Sequence, residues 1–404
     1  YPNSLLDKLG FELIRQAALE MTQSVRSEEL LETLTPSSNP KKVQLLTGQT
    51  KEMMEILADP DPFPLHEFPE VRDYLSSAKA EGSIIPLPAF VDVLKICAIS
   101  RQVKKFLKNH SEHYPQLNTV SQGLIPMKEL ENSIKEKVTE YGELRDDASP
   151  ELQAIRRKLN RKKNDLRSTI NRAMSKANKD GMASDEGATI RNGRMVIPIQ
   201  VEFKRKVQGF IHDVSASGQT VYLEPVEALN LNNEIRQFEA EEKREIERIL
   251  KELTRHVQQN SQFIDQNTLC LAEIDVIAAK AKLTQKLNGE IPISSEEPLL
   301  NVKEAYNPIL RLKNLNLPKK EEREKIIPLF LKMEEAERCL MITGPNAGGK
   351  SVAMKTVGLM ALMVQSGFGV PADPTTELPI FSGIFVDLGD DQSIENDLST
   401  FSSR

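Results

Sequence analysis

The run Gly344-Pro345-Asn346-Ala347-Gly348-Gly349-Lys350-Ser351 satisfies the spacing Gly-x-x-x-x-Gly-Lys-Ser/Thr, which gathers chain amides, an ammonium and a hydroxyl around one polyphosphate. Glycines leave successive N–H groups free to point inward with no Cβ in the way. A helix start adds unpaired donors and the positive end of its dipole. Lys350 is placed to reach the outer phosphates and Ser351 to hold Mg²⁺. The flanks fit the motif: 339–343 predicts a short buried strand and 352–364 an apolar-faced helix, so the glycines fall at a strand-to-helix turn.

A second group of reactive side chains is basic. Arg191, Arg194, Lys204, Arg205 and Lys206 lie among strand-patterned segments at 188–191, 195–201, 207–214 and 220–223. Asn192-Gly193 is the strongest short-range hairpin signal in the chain, because both central positions of such a turn need positive φ. Lys and Arg without groups suited to groove readout point to neutralising a nucleic-acid backbone rather than reading its bases. His212-Asp213 sits in the same stretch, and with no nucleophile nearby it reads as a structural hydrogen bond rather than an acid–base pair. His66, His110 and His113 are scattered over loops and helix ends and are assigned no chemistry.

Long helices must carry these strands. A break at Asp146-Asp147-Ala148-Ser149-Pro150 provides an N-cap and a first-turn proline for a helix over 150–180, about 45 Å long at 1.5 Å per residue. Leu152, Ile155, Leu159, Leu166, Ile170, Ala173 and Ala177 form its apolar stripe while Lys and Arg crowd the other faces. A second long helix from 226 to about 256 carries Leu231, Ile235, Phe238, Ile246, Ile249, Leu253 and Val257. The two stripes predict an antiparallel coiled-coil arm tipped by a small β-sheet. The blander alternative is a hairpin whose charges serve solubility alone.

The rest divides around the arm: a helical core over 1–145, the arm over 146–260 with its tip at about 187–225, a helical return and linker over 261–298, and the nucleotide module over 299–404. The returning helix is expected at 269–287, a linker at 291–298, and strands at 300–302, 326–331 and 378–388. The class is multi-domain α plus α/β. A formal charge of −6 excludes a uniformly basic nucleic-acid coat, so any polyanion contact must be local. Three dispersed cysteines give neither a zinc spacing nor a disulfide framework and fit a reducing cytosol. No apolar stretch is long enough to cross a bilayer, and the chain has no Trp. A cytoplasmic protein without membrane contact is expected.

The cradle resembles the Gly-Pro-Asn-x-Gly-Gly-Lys-Ser/Thr sequence of the MutS family, and Lys355-Thr356-Val357-Gly358-Leu359 with Val370-Pro371-Ala372 resembles the helix and Pro-Ala turn that follow it. Asp387-Leu388-Gly389-Asp390-Asp391-Gln392-Ser393-Ile394-Glu395 and Leu398-Ser399-Thr400-Phe401-Ser402-Ser403 resemble the signature of its second, recombination-suppressing subfamily, the MutS-two type. Val196-Ile197-Pro198-Ile199, the run from His212 to Thr220, and Glu224-Pro225 resemble that subfamily's clamp sheet. The resemblance extends over nearly the whole chain. It implies a homodimeric ATPase of the ABC superfamily that uses ATP and Mg²⁺, with a lever and clamp arm embracing DNA. Asn346, Gly348, Gly349 and Lys350 would wrap the phosphates within the 344–351 cradle, and Ser351 would ligate Mg²⁺. Ser399 and Thr400 would face the partner subunit's γ-phosphate, and Ile326 or Ile327 would hold adenine.

Two departures accompany this. The family's His-Pro pair is replaced by Tyr306-Asn307-Pro308. No acidic strand end follows the signature before Arg404, so no catalytic residue is assigned, and nucleotide binding without efficient hydrolysis is expected of this segment. A nuclease domain is expected beyond it. The implied substrate is branched or recombining DNA rather than a mispair, since the core helices begin almost at residue 1. The alternative is a ribosome-associated ATPase that grips stalled or collided ribosomes with the same arms. A small-molecule kinase would leave the long arm without purpose.

Overall fold

The computed structural model describes residues 5–80, 82–295, 299–317, 325–345 and 349–387. In chain order its helices are α1 (Leu5–Leu9), α2 (Phe11–Leu19), α3 (Val25–Glu32), α4 (Pro40–Ala58), α5 (Arg72–Ser77), α6 (Leu87–Asn109), α7 (Pro115–Ser121), α8 (Lys128–Lys135), α9 (Pro150–Lys179), α10 (Val226–Gln259), α11 (Ser261–Lys286), α12 (Pro308–Asn316) and α13 (Lys350–Gln365). The strands are β1 (Thr189–Arg191), β2 (Arg194–Gln200), β3 (Gly209–Val214), β4 (Thr220–Pro225), β5 (Ile293–Ser295), β6 (Leu300–Ala305), β7 (Leu329–Met333) and β8 (Glu377–Pro379). Among the described residues the chain is therefore helical with two small sheets, and it divides into two compact units. One unit gathers Tyr1–Arg72, Asp92–Lys128 and Ser261–Arg404; the other gathers Asp73–Val91 and Glu129–Asn260. Among the described residues no helix is long and apolar enough to cross a membrane.

In the second unit, α9 starts where Ser149 Oγ accepts the Leu152 N–H at 3.0 Å and Pro150 takes the first turn. Moving along α9, Ser149 bonds Glu245, Arg156 pairs with Glu242 at 2.8 Å and Lys162 with Glu234 at 2.6 Å. Partners on α10 step backward as α9 advances, so the two helices run antiparallel. Exposed ion pairs contribute at most about 1 kcal/mol each. The seam is held instead by Leu159, Leu166, Ile170 and Ala177 packed with Ala228, Leu231, Ile235 and Phe238, each large apolar side chain stabilising by roughly 1.5–3 kcal/mol.

The same cluster continues onto a four-stranded antiparallel sheet of order β1-β2-β4-β3. Its first hairpin turns at Asn192 and Gly193, with φ of 49° and 70°, the left-handed pair that the Asn-Gly sequence favours.

In the first unit, α13 lies in a core with Leu5, Leu9, Phe11, Ile14, Leu283, Val302, Ile309 and Phe368, to which it contributes Leu359, Met360, Leu362 and Met363. The second sheet has the order β5-β8-β6-β7, with β5 and β8 parallel and the remaining pairs antiparallel. Lys280 of α11 is fully enclosed, its ammonium 5.5 Å from the centre of the Phe368 ring. Burial, with Lys42 as a second cause, pulls its pKa down to about 7.

Several sequence expectations are corrected here. The run 339–343 is no strand, and Met341 is 82% exposed. An apolar run becomes a buried central strand only when strands flank it on both sides, and no described strand pairs with it. Of the strand expected at 378–388, the described residues form only Glu377–Pro379, where β5 and β6 supply its partners, and 388 lies outside them. The returning helix begins at Ser261, earlier than 269, directly after α10 ends at Gln259 with Asn260 as its C-cap, whose side-chain amide donates to the His256 carbonyl. The segment expected as linker contains β5, and α12 was not anticipated.

Candidate functional site

α13 opens at the last glycine of the motif. Gly349 is its N-cap at φ 77°, with no side chain capping the helix, so the first-turn N–H groups are available to an anion. A Cβ at Gly349 would meet nothing within 4 Å; the demand for glycine is conformational, a left-handed cost of about 1–2 kcal/mol for other residues. Lys350 folds back over the loop and donates from Nζ to the Gly344 carbonyl at 2.7 Å and the Pro345 carbonyl at 2.6 Å. Its ammonium thus sits among loop oxygens, which phosphate oxygens can replace with stronger, charge-assisted bonds. Ser351 is exposed in the first turn. Asn346, Ala347, Gly348, Ser399 and Thr400 lie outside the described residues.

α13 is also tied from behind. Asn307 caps α12, its Oδ1 accepting the Ile309 and Leu310 N–H groups at 3.1 Å each, and its Nδ2 donates to Thr356 Oγ1 at 2.9 Å. The Thr356 hydroxyl in turn donates a hydrogen bond to the Val352 carbonyl at 2.7 Å. Asn307 therefore fixes α12 against the second turn of the cradle helix. The Asn-Pro pair signals the cap in sequence, but nothing there announces Thr356 as its partner.

In the other unit, the basic residues divide by what they touch. Arg194 bonds Glu224 Oε1 at 2.7 Å and Asn233 at 2.6 Å, and is largely enclosed. Its charge is satisfied internally, which separates it from the exposed cations with which the sequence grouped it. Arg191 lies over the Tyr222 ring, 4.4 Å from its centre, and 3.3 Å from Asp213. Lys204, Arg205 and Lys206 form an exposed turn between β2 and β3. Lys206 rests over the Phe203 ring at 5.1 Å.

His212 is bonded through Nε2 to Glu224 Oε2 at 2.6 Å, so its partner is Glu224 rather than the adjacent Asp213. Glu224 is fully buried and also takes the Asn232 side-chain amide at 2.8 Å. Asn232 in turn grips the Met195 backbone through both its N–H and its carbonyl. Sequence reasoning missed Glu224, which joins β2, β3, β4 and α10 through three side chains. A lone acidic residue in an apolar strand was the signal for it.

The chain is similar to known proteins along nearly its whole length. Residues 340–404 match MutS domain V. Nearly the whole chain aligns with proteins named Endonuclease MutS2. It is 34% identical to that of Halalkalibacterium halodurans, over 99% of this chain and 50% of the relative, and 33% identical to that of a Geobacillus species over the same shares. The Symbiobacterium thermophilum protein is 34% identical over 99% of this chain and 48% of the relative. The chain spans about half the length of these curated relatives, and across that span it belongs to the MutS family, on its MutS2 branch.

Proposed function

We propose that this chain is the nucleotide-binding and DNA-gripping part of a MutS2-type ATPase that acts on branched or recombining DNA and restrains recombination. The observation that carries the reading is the cradle: an uncapped helix start at a left-handed glycine, with the Lys350 ammonium held over it by two loop carbonyls. ATP with Mg²⁺ would supply the phosphate oxygens and the cation that such donors hold. Gly344, Pro345, Asn346, Ala347, Gly348, Gly349 and Lys350 would hold its phosphates, and Ser351 its metal.

In this reading 146–260 is a lever and clamp, a coiled-coil arm whose sheet at about 187–225 meets the DNA backbone. Residues 1–145 and 261–298 are its helical core and return, and 299–404 are the N-terminal part of the ATPase module. A homodimer is required, because Ser399 and Thr400 act on the partner subunit's nucleotide. The nuclease activity stands in the name of the relatives, of which this chain spans about half. Of the basic residues, Lys204, Arg205 and Lys206 carry most of the backbone contact, with Arg191 beside them and Arg194 holding the sheet together.

Charge reversal tests this. K204E/R205E/K206E should abolish salt-dependent duplex binding, because each neutralised phosphate contributes close to one unit of salt slope. Unchanged affinity and slope would contradict the assignment. Copurification of the longer protein with ribosomes, with junction DNA competing no better than random duplex, would overturn it in favour of ribosome binding.

A further inference from the structure

Two apolar rows cross the small sheet. Ile197, Leu223 and Ile211 are paired across β2, β4 and β3, as are Ile199, Val221 and Val214. The first two members of each row are buried in the α9–α10 core. The third is not: Ile211 is 48% and Val214 50% exposed. The apolar face thus runs past the helices that cover it and ends on an edge strand. Phe210, one residue earlier and paired with Glu224, projects from the opposite face of the same strand and is 55% exposed. Ile211 and Val214 on one face of this edge strand and Phe210 on the other leave the strand's rim apolar on both sides, so a partner that wraps the rim meets all three.

The chemistry around them selects the partner. A peptide strand adding to the β3 edge needs an unbroken backbone repeat, and β3 lacks one. Its register shifts between Ile211 and Asp213, and the intervening His212 carbonyl accepts from the Asn192 side chain at 3.1 Å. Such bulges are a known way of blocking strand addition. The turn leading into β3 is instead Lys204-Arg205-Lys206, exposed, with Lys204 and Arg205 in no ion pair among the described residues. The acid on the strand, Asp213, is matched by Arg191 at 3.3 Å. Cations beside an aromatic and two aliphatic side chains complement a polyanion that also presents apolar surface. Paired duplex hides the faces of its bases; a strand with unpaired bases exposes them.

We propose that Phe210, Ile211 and Val214 contact unpaired bases of DNA, next to phosphates held by Lys204, Arg205 and Lys206. This rests on the nucleic-acid reading above and adds selectivity to it: the cations bind any duplex, and the apolar edge favours DNA that is opened or branched. One ring makes a wedge rather than a stacking platform.

The test is fluorescence anisotropy of the 404-residue chain on duplex DNA with a central unpaired bubble, on the paired duplex, and on the same bubble in RNA. Wild type should prefer the DNA bubble. Phe210→Ala should weaken bubble binding about tenfold, in line with loss of one base–aromatic contact. It should leave paired-duplex affinity and the salt slope unchanged, because an apolar contact releases no counterions. Phe210→Tyr, which keeps the ring, should retain the preference. Phe210 is half exposed on an edge, and an unchanged thermal unfolding curve would exclude misfolding. Equal loss on both DNAs, no loss on the bubble, or tighter binding of the RNA bubble overturns the proposal. If wild type shows no salt-dependent binding to any duplex, or the triple charge reversal has no effect, the underlying nucleic-acid reading fails instead.

Discussion

A buried carboxylate decides the geometry of the small sheet. Glu224 lies on β4 with Arg194, His212 and Asn232 around it, so its charge is matched on every side the side chains supply. Removing one member of a buried pair leaves the other uncompensated, at a cost of about 3–5 kcal/mol. Glu224→Ala should therefore lower the unfolding free energy of the unit containing α9 and α10 by about 3 kcal/mol, read as a shift of the urea midpoint. It should leave nucleotide binding in the other unit untouched. A loss below about 1 kcal/mol, the net value of an ordinary hydrogen bond, would mean that the network is incidental. This pairing was not legible in the sequence. His212 stands next to Asp213 and twelve residues from Glu224, and only the turn between β3 and β4 brings the distant acid within 2.6 Å. The cradle was legible because its chemistry is local: Gly349, Lys350 and the start of α13 are consecutive.

Among the elements, those whose signals are periodic or local were readable. The stripe on α9, the cap at Ser149 and the Asn192-Gly193 turn each follow from short-range sequence. Elements that depend on distant partners were not. The apolar run 339–343 has strand composition, but burial requires neighbours on both sides, and the sheet that forms uses β5 to β8. β5 is three residues held by β8, and α12 is a short helix fixed by Asn307. The Ser149 cap permits a quantitative check. Ser149→Ala removes the bond to the Leu152 N–H and the one to Glu245, and should cost about 1 kcal/mol. The loss should appear as faster amide exchange confined to the first turn of α9. Uniform acceleration along the helix would show that the cap governs the whole hairpin.

Over the whole molecule, stability should carry the mark of Lys280. Its pKa in the fold is about 7, against an ordinary value of 10.5. Between these values the folded chain binds fewer protons than the unfolded one, so stability rises as pH rises from about 7 toward 10.5. Below pH 7 the full cost of burying the charge is present. Lys280→Met should raise stability by roughly 2–4 kcal/mol at neutral pH and flatten this dependence, measured by thermal unfolding across the range. A variant with the same pH profile as wild type would refute the assignment.

The central claim is that the loop closing on Lys350 captures a nucleoside triphosphate, and calorimetric titration of the chain with ATP in excess Mg²⁺ tests it most directly. Capture of the nucleotide gives a saturable isotherm that is lost in Lys350→Ala while the unfolding curve of the variant stays as in wild type. No binding by wild type, or an identical isotherm in the variant, would contradict it.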